Sequence, residues 1–323
     1  MPNLITHALF ARDVMQAVNA PDWVQARQHL LEIGANGPDF LFFAGLSPKG
    51  LLEGDMKLNK IGSRLHAGDV NAFYNSALDS IQKEKNPEIR RDMEAYVIGH
   101  LCHWALDSTV HPYVYYRTGK YTGRSGWYHH RLESILDAAL LKKKTGQSIK
   151  EFYYPNITAV SPKEARAIAR IYIPAAEELY NEQITPHGLY ETLSNWNRLQ
   201  RLWYDPNGRK LKTLRTLEKL TGRQNNLSGF LIPVESGDEH DVLNERHALW
   251  RHPVSGEYST MSFEELYASA IERARTAIHL FELALENPDA RAAFLEFLGD
   301  RNYESGLPEN PRMEVFDVET FPF

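Results

Sequence analysis

The chain has 323 residues, 43% hydrophobic and 24% charged, with a net charge of −6. That length supports one large core, or a core with an appended lobe, and the acidic balance gives no basic signature for duplex nucleic acid. Cys102 is the only cysteine, which excludes an intrachain disulfide. The first residues, Met-Pro-Asn-Leu-Ile-Thr-His, show neither a basic region nor an apolar core of a secretion signal, and no run approaches the ~18–20 apolar residues of a membrane span. A cytoplasmic protein with no transmembrane segment is expected.

Taken in chain order, most of the sequence predicts helix. Residues 4–19 place Ala8, Leu9, Val14, Met15 and Val18 at helical spacing; Ala20-Pro-Asp22 ends that helix, and Asp22 can cap the next, over 22–33. Gly34 to Pro38 reads as a turn. Residues 39–43, Asp-Phe-Leu-Phe-Phe, resemble a strand in composition but are short, and an irregular segment placing Asp39 at a helix border is expected. Further helices are predicted over 67–83, 87–111, 126–144, 162–182, 187–203, 210–221, 262–287 and 288–299. Residues 146–161 read as a linker, 223–260 as loop-rich, and the proline-bearing tail from Tyr303 as non-helical, packing through Phe316, Phe321 and Phe323. The reading is all-α: a helical body over 1–185 with a helical C-terminal extension over 186–323 packed on it, or the two as one continuous domain.

The run Gly-His-Leu-Cys-His-Trp-Ala-Leu-Asp-Ser-Thr-Val-His-Pro, residues 99–112, spaces His103, Asp107 and His111 four apart. On a helix each such step drifts by only about 40°, so all three share a face. Two imidazoles and a carboxylate on one face offer nitrogen and oxygen donors to a divalent metal. His129 and Glu133 repeat the spacing on the following helix. Cys102 points about 100° away from His103 and reads as a buried small hydrophobe.

Other candidate ligands stand in order upstream: His7, Asp39 and His66. With the whole ordered set in view, residues 1–145 resemble the zinc-dependent phospholipase C family, whose relatives include single-strand nucleases. The resemblance implies a multi-helix phospholipase C/nuclease-like bundle with two or three zinc ions, residues 1–185 forming the metal-binding catalytic domain. It implies one zinc on Asp39, His66, His103 and Asp107, a second on His111, His129 and Glu133, and a third on His7 and Asp107, with Asp107 as the bridge. In secreted members the third ion also takes the amino nitrogen and carbonyl of the processed N-terminal residue, a role open here to Pro2. Asp39 is the expected general base, and other divalent transition metals also suit such donors.

Around these ligands, His100 and His130 are expected as supporting residues behind or beside them, and Phe40, next to Asp39, as the substrate contact. Phe42, Phe43, Trp104, Trp127 and Tyr128 are further aromatic candidates for a pocket, with plain core as the competing reading. Closely spaced metals activate water and neutralise phosphoryl oxygens. The expected activity is therefore phosphoester hydrolysis, phospholipase C-like, on a small phosphoester or phospholipid. Departures from the secreted enzymes are the missing signal, the absence of a recognisable C-terminal β-domain and the four-residue gap between Asp107 and His111, expected to be wider there.

Three other readings stay open: a single-strand nuclease or nucleotidase, an HD-type phosphohydrolase using His240-Asp241, and a non-catalytic metal-binding helical protein. Arg198, Arg201, Arg209, Lys210, Lys212, Arg215, Lys219 and Arg223 make one hairpin basic, fit for an anionic substrate, a membrane surface or plain solvation. Glu239, His240, Asp241, His247 and His252 are expected at most on a loop over the site. Oligomeric state is left open.

Overall fold

A computed structural model describes residues 4–45, 57–235 and 240–319. Among them are twelve α-helices: α1 Leu4–Ala17, α2 Asp22–Gln25, α3 Gln28–Gly34, α4 Lys57–Ala67, α5 Val70–Lys83, α6 Pro87–Thr118, α7 Arg124–Thr145, α8 Pro162–Tyr180, α9 Pro186–Trp203, α10 Arg209–Thr221, α11 Phe263–Glu286 and α12 Ala290–Leu298. Short 3-10 turns lie at Asp39–Phe43, Tyr154–Thr158 and Ser228–Phe230, and the one sheet described is a two-residue antiparallel ladder, Trp250 opposite Ser259 and Arg251 opposite Tyr258. The all-α expectation holds.

Helix α6 is the axis of the molecule. The Asn86 side chain accepts from the backbone N–H groups of Glu88 and Ile89, and Pro87 sits at the first helical position, where its missing N–H costs nothing. From there the helix runs 32 residues, about 48 Å at 1.5 Å per residue. Residues 92–108 are buried without a break, as in a helix enclosed on all sides. Helices α1, α3, α5, α7, α8 and α11 all pack on it. One apolar cluster joins residues from Leu4 to Tyr303, and no helix among the described residues is long and apolar enough to cross a membrane.

Several boundaries differ from the sequence reading. The helix expected to stop at His111 continues through Pro112 to Thr118. Pro112 has no N–H for the Ser108 carbonyl, and the Gly306 backbone packs so close to that oxygen that a Cβ there would lie 2.1 Å from it. Gly306 has φ +67°, a left-handed conformation that suits glycine. Helix α4 was not expected at all, the residues expected as one helix over 22–33 divide into α2 and α3, and the 146–161 linker contains a 3-10 turn.

The tail from Tyr303 is non-helical, as expected, and folds back on the bundle. Tyr303 N–H donates to the His66 carbonyl (3.1 Å), and Asp317 and Glu319 N–H donate to the carbonyls of Tyr116 and Arg117 (both 2.8 Å). Phe316 is half-buried. Phe321, Phe323, Pro2 and Glu239 lie outside the described residues.

Candidate metal centre

Five elements bring the eight proposed ligands together. Helix α1 carries His7, and its first turn is held by the buried Asp137 carboxylate of α7, which accepts from Ile5 N–H, Thr6 N–H and the Thr6 hydroxyl at 3.1, 2.8 and 2.7 Å. The 3-10 turn Asp39–Phe43 presents Asp39, the last turn of α4 presents His66, α6 presents His103, Asp107 and His111, and α7 presents His129 and Glu133. All eight are buried.

Their donor atoms form three groups, each within 4.8 Å: His7, His103 and Asp107; Asp39, His66 and His103; His111, His129 and Glu133. His103 Nε2 lies 3.1 Å from Asp107 Oδ2 and 3.9 Å from Asp39 Oδ1, so it belongs to two groups. Asp107 Oδ1 is 3.1 Å from His7 Nε2, and Glu133 Oε1 is 3.1 Å from His129 Nε2 and 3.5 Å from His111 Nε2. The third group is the set assigned to the second zinc. The residue shared between the other two by geometry is His103, with Asp107 beside it facing His7.

The outer ring nitrogens are fixed by hydrogen bonds. His66 Nδ1–H donates to the Gly62 carbonyl (2.8 Å) and His111 Nδ1–H to the Tyr303 carbonyl (2.7 Å). The Thr118 hydroxyl donates to the Val114 carbonyl, leaving its oxygen to accept from His129 Nδ1–H at 3.3 Å. In each case Nε2 is left facing a carboxylate, the arrangement that orients imidazole as a metal ligand. Gly37, at φ +52°, closes over His103: a Cβ there would meet His103 Cδ2 at 2.1 Å.

Burial and mutual attraction set the charges. Burial would raise the Asp107 carboxyl, yet the imidazoles of His103, His111 and His7 hold it well below the carboxylate range. Glu133 is likewise held down by His129 and His111 against its own burial. Burial lowers His103 to about 4, so its ring is neutral at neutral pH. His111 goes the other way: burial opposes its charge, but Asp107 and Glu133 push it up to about 9.

The donor set fits zinc or a similar ion. His7 Nδ1 and His103 Nδ1 are buried without a hydrogen-bond partner, an expensive condition, and His103 Nε2 and Asp107 Oδ1 have only ion-pair contacts within the cluster. Ionised carboxylates and the neutral His103 ring are in the protonation states a metal needs, while the proton on His111 has to leave as an ion binds.

The centre opens on a cavity of about 600 Å³ lined by His7, Asp39, His66, Asp107, His111, His129 and Glu133 and also by Phe42, Phe43, Tyr115, Tyr121, Trp203 and Phe230. Phe40, the expected contact, does not line it: at 1% exposure it packs edge-on against Tyr172 (5.2 Å) and near Trp196. In a 3-10 turn residues three apart eclipse, so Phe42, not Phe40, shares the side of Asp39, and its ring lies 5.1 Å from that of His66. Trp104 is core, donating to the Arg301 carbonyl, and Trp127 and Tyr128 do not line the cavity.

His100 sits behind His103, with its Nδ1 2.8 Å from the Tyr74 hydroxyl and its Nε2 3.2 Å from the Tyr172 hydroxyl; burial holds its pKa well below the usual value. It makes no hydrogen bond to a proposed ligand. His130 lines the cavity with Nε2 2.7 Å from the Tyr121 hydroxyl and its ring 4.1 Å from Phe230. His240, Asp241, His247 and His252 are not among the lining residues, so the loop expected over the site does not reach it through them.

Residues that the sequence reading missed are Tyr115, Tyr121, Trp203, Phe230, Tyr303 and Glu304. Tyr115 could have been found, one turn after His111 on the same face. Trp203, Phe230 and Glu304 carry no periodic signal linking them to the ligands, and Tyr303 acts partly through its backbone.

No curated protein and no solved structure matches the chain. The description of zinc-dependent phospholipase C matches residues 6–185, more than half of the sequence and the stretch that carries all eight proposed ligands. The chain belongs to the zinc-dependent phospholipase C family.

Proposed function

We propose that this protein is a phospholipase C-type phosphodiesterase, cleaving a phospholipid or small phosphodiester at phosphorus with two or three zinc ions. One observation carries the reading: three His/carboxylate groups meet at a single cavity that aromatic side chains also line. Such a cavity suits a substrate with a phosphate at one end and an apolar or cationic group at the other.

Asp39, His66, His103 and Asp107 would hold one ion, His111, His129 and Glu133 a second, and His7 with Asp107 a third. Zinc bound there supplies Lewis acidity and an activated water. The chain's own residues do the rest. Asp39 faces the cavity with its carboxyl held below the usual range by His103 and His66 despite burial, so it is ionised and able to accept a proton from attacking water. Gly62, Tyr303 and Thr118 keep three imidazoles in one tautomer. Phe42, Phe43, Trp203 and Phe230 give the cavity an apolar lining that excludes water and positions the leaving or retained group.

The test combines elemental analysis with a panel of a phosphocholine ester, a bis-aryl phosphate, a mono-aryl phosphate and single-stranded DNA. Two or more metals per chain and preference for a diester support the proposal. Fewer than two metals in metal-replete protein, or activity on DNA alone, rejects it. Asp107→Ala should remove at least one ion and lower activity by about 100-fold or more, the upper end of what even supporting residues of metal sites cost. Retained full activity would show that Asp107 is no ligand.

A further inference from the structure

We infer that α10 and the chain on either side of it form a docking face for an anionic phospholipid surface, beside the mouth of the proposed catalytic cavity. The inference rests on the phosphodiesterase reading only for the identity of the lipid as substrate; adsorption itself needs no catalysis.

The charge distribution is the first support. Residues 198–223 hold eight Lys and Arg and only two acids, Asp205 and Glu218, in a chain whose net charge is −6. Both acids are buried and occupied. Asp205 accepts from Leu211 N–H at 2.8 Å. Glu218 accepts from the N–H groups of Asn225, Leu227 and Ser228 and from the Ser228 hydroxyl, at 2.6 to 3.0 Å. The exposed charge of α10 is therefore entirely positive, carried outward by Arg209, Lys212 and Lys219, while the Lys210 ammonium turns back to donate to the carbonyls of Leu202 and Tyr204.

Exposed apolar side chains share that surface. Leu220 is 81% exposed, Leu202 62%, Leu217 55% and Leu227 54%. On the helical projection Leu211 and Glu218 point inward, Leu220 points out opposite them, Leu217 flanks it with Lys210, and Lys212 and Lys219 lie on the other flank. Leucines ringed by lysines, with no exposed acid, are the pattern of a helix lying in the plane of an anionic bilayer, where cations meet headgroups and leucines enter the acyl boundary. A single-stranded nucleic acid would instead be met by exposed rings on which bases stack, and α10 has no aromatic residue.

Position is the second support. Trp203 ends the helix before α10 and Phe230 follows the loop after it; the two rings stack at 4.8 Å and 13° and both line the cavity. Glu218 pins residues 225–228, and the Ser134 hydroxyl of α7 then donates to the Gly229 carbonyl (2.6 Å). A bilayer resting on α10 would thus lie next to Trp203 and Phe230, two of the aromatic residues that line the cavity.

The experiment is co-sedimentation of the full-length metal-loaded protein with vesicles of phosphatidylcholine alone and of phosphatidylcholine mixed with phosphatidylglycerol, alongside hydrolysis of a soluble bis-aryl phosphate. Stronger binding to the mixed vesicles, weakened by salt, is expected. Lys212→Glu with Lys219→Glu should weaken that binding by about tenfold or more, and Leu217→Ser with Leu220→Ser should also weaken it. Both double variants should keep the parent's melting temperature and soluble-substrate rate. Equal binding to both vesicle types, binding unmoved by either double variant, or capture of single-stranded DNA in place of vesicles overturns the docking face. Absence of soluble hydrolysis in every form, with adsorption intact, overturns the catalytic reading and leaves the docking face standing.

Discussion

His103 is the most constrained side chain of the centre. It is fully buried, faces Asp39 and Asp107, and is covered by Gly37. Gly37→Ala would force an alanine into a left-handed conformation and drive its methyl into the imidazole. About 2 kcal/mol of stability should be lost from the backbone alone, together with metal; urea unfolding and metal content measure the two, and a variant matching the parent in both would contradict this packing. His111 makes a different prediction. Its pKa near 9 means that the metal-free protein keeps a proton there at neutral pH, which a metal on Nε2 must expel. Zinc titrated into metal-free protein at about pH 7 should release protons, seen as a binding heat that changes with the buffer's ionisation enthalpy. Affinity should fall as the solution is acidified, and a heat independent of buffer would refute the assignment. At this scale the helix-borne candidate ligands were legible because a spacing of four is a face. Phe40 was misplaced because adjacency in sequence is not adjacency in space when the backbone turns every three residues.

Among the elements, the 3-10 turn and α4 show what a pattern of apolar residues conceals. Leu58, Ile61 and Leu65 do have helical spacing, but Gly62 and Ser63 interrupt it with two weak helix formers. Similarly, Pro112 signals a stop that packing overrides, because buried neighbours along α6 outweigh one missing hydrogen bond. The bundle is also tied by polar contacts between elements. His29 of α3 lies 2.6 Å from Glu164, which completes the capping box of α8 with Ser161. The Glu164 hydrogen bond raises the His29 pKa against partial burial, and the Glu164 carboxyl falls to about 2, its desolvation outweighed by His29 and Ser161. The pair therefore stabilises most fully above the ordinary Glu value of 4.5 and below the ordinary His value of 6.5. Its contribution fades as pH falls toward Glu164's folded value and as pH rises through His29's. With His29 well exposed, at most about 1 kcal/mol is at stake. His29→Gln should lower the melting temperature more at about pH 5.5 than at about pH 9, and an equal loss at both would remove the ion pair from the account.

Across the whole molecule, residues far apart in sequence complete one site. The proposed boundary at 185 coincides with the end of the family match, yet Leu199, Trp203, Phe230 and Glu304 line the same cavity, and Tyr303 contacts His66 and His111. Such closure depends on chain-distant contacts for which periodicity carries no signal, so the candidate ligands could be read while Leu199, Trp203, Phe230 and Glu304 could not. A fragment of residues 1–185 should therefore expose α6 where α11 now covers it, show weakened or absent cooperative unfolding by circular dichroism, and bind fewer metal ions than the full chain. Full metal content and a cooperative transition in the fragment would establish it as an independent domain.

The backbone of Tyr303 joins two histidines that lie 45 positions apart, His66 through its N–H and His111 through its carbonyl. During synthesis all eight ligands leave the ribosome long before this clamp does. The nascent chain therefore holds the raw materials of a metal centre without its final orientation, and the fully oriented centre can form only after residue 303 has emerged. A polypeptide arrested before that point would carry the whole recognition sequence of a hydrolase yet lack the geometry to act as one.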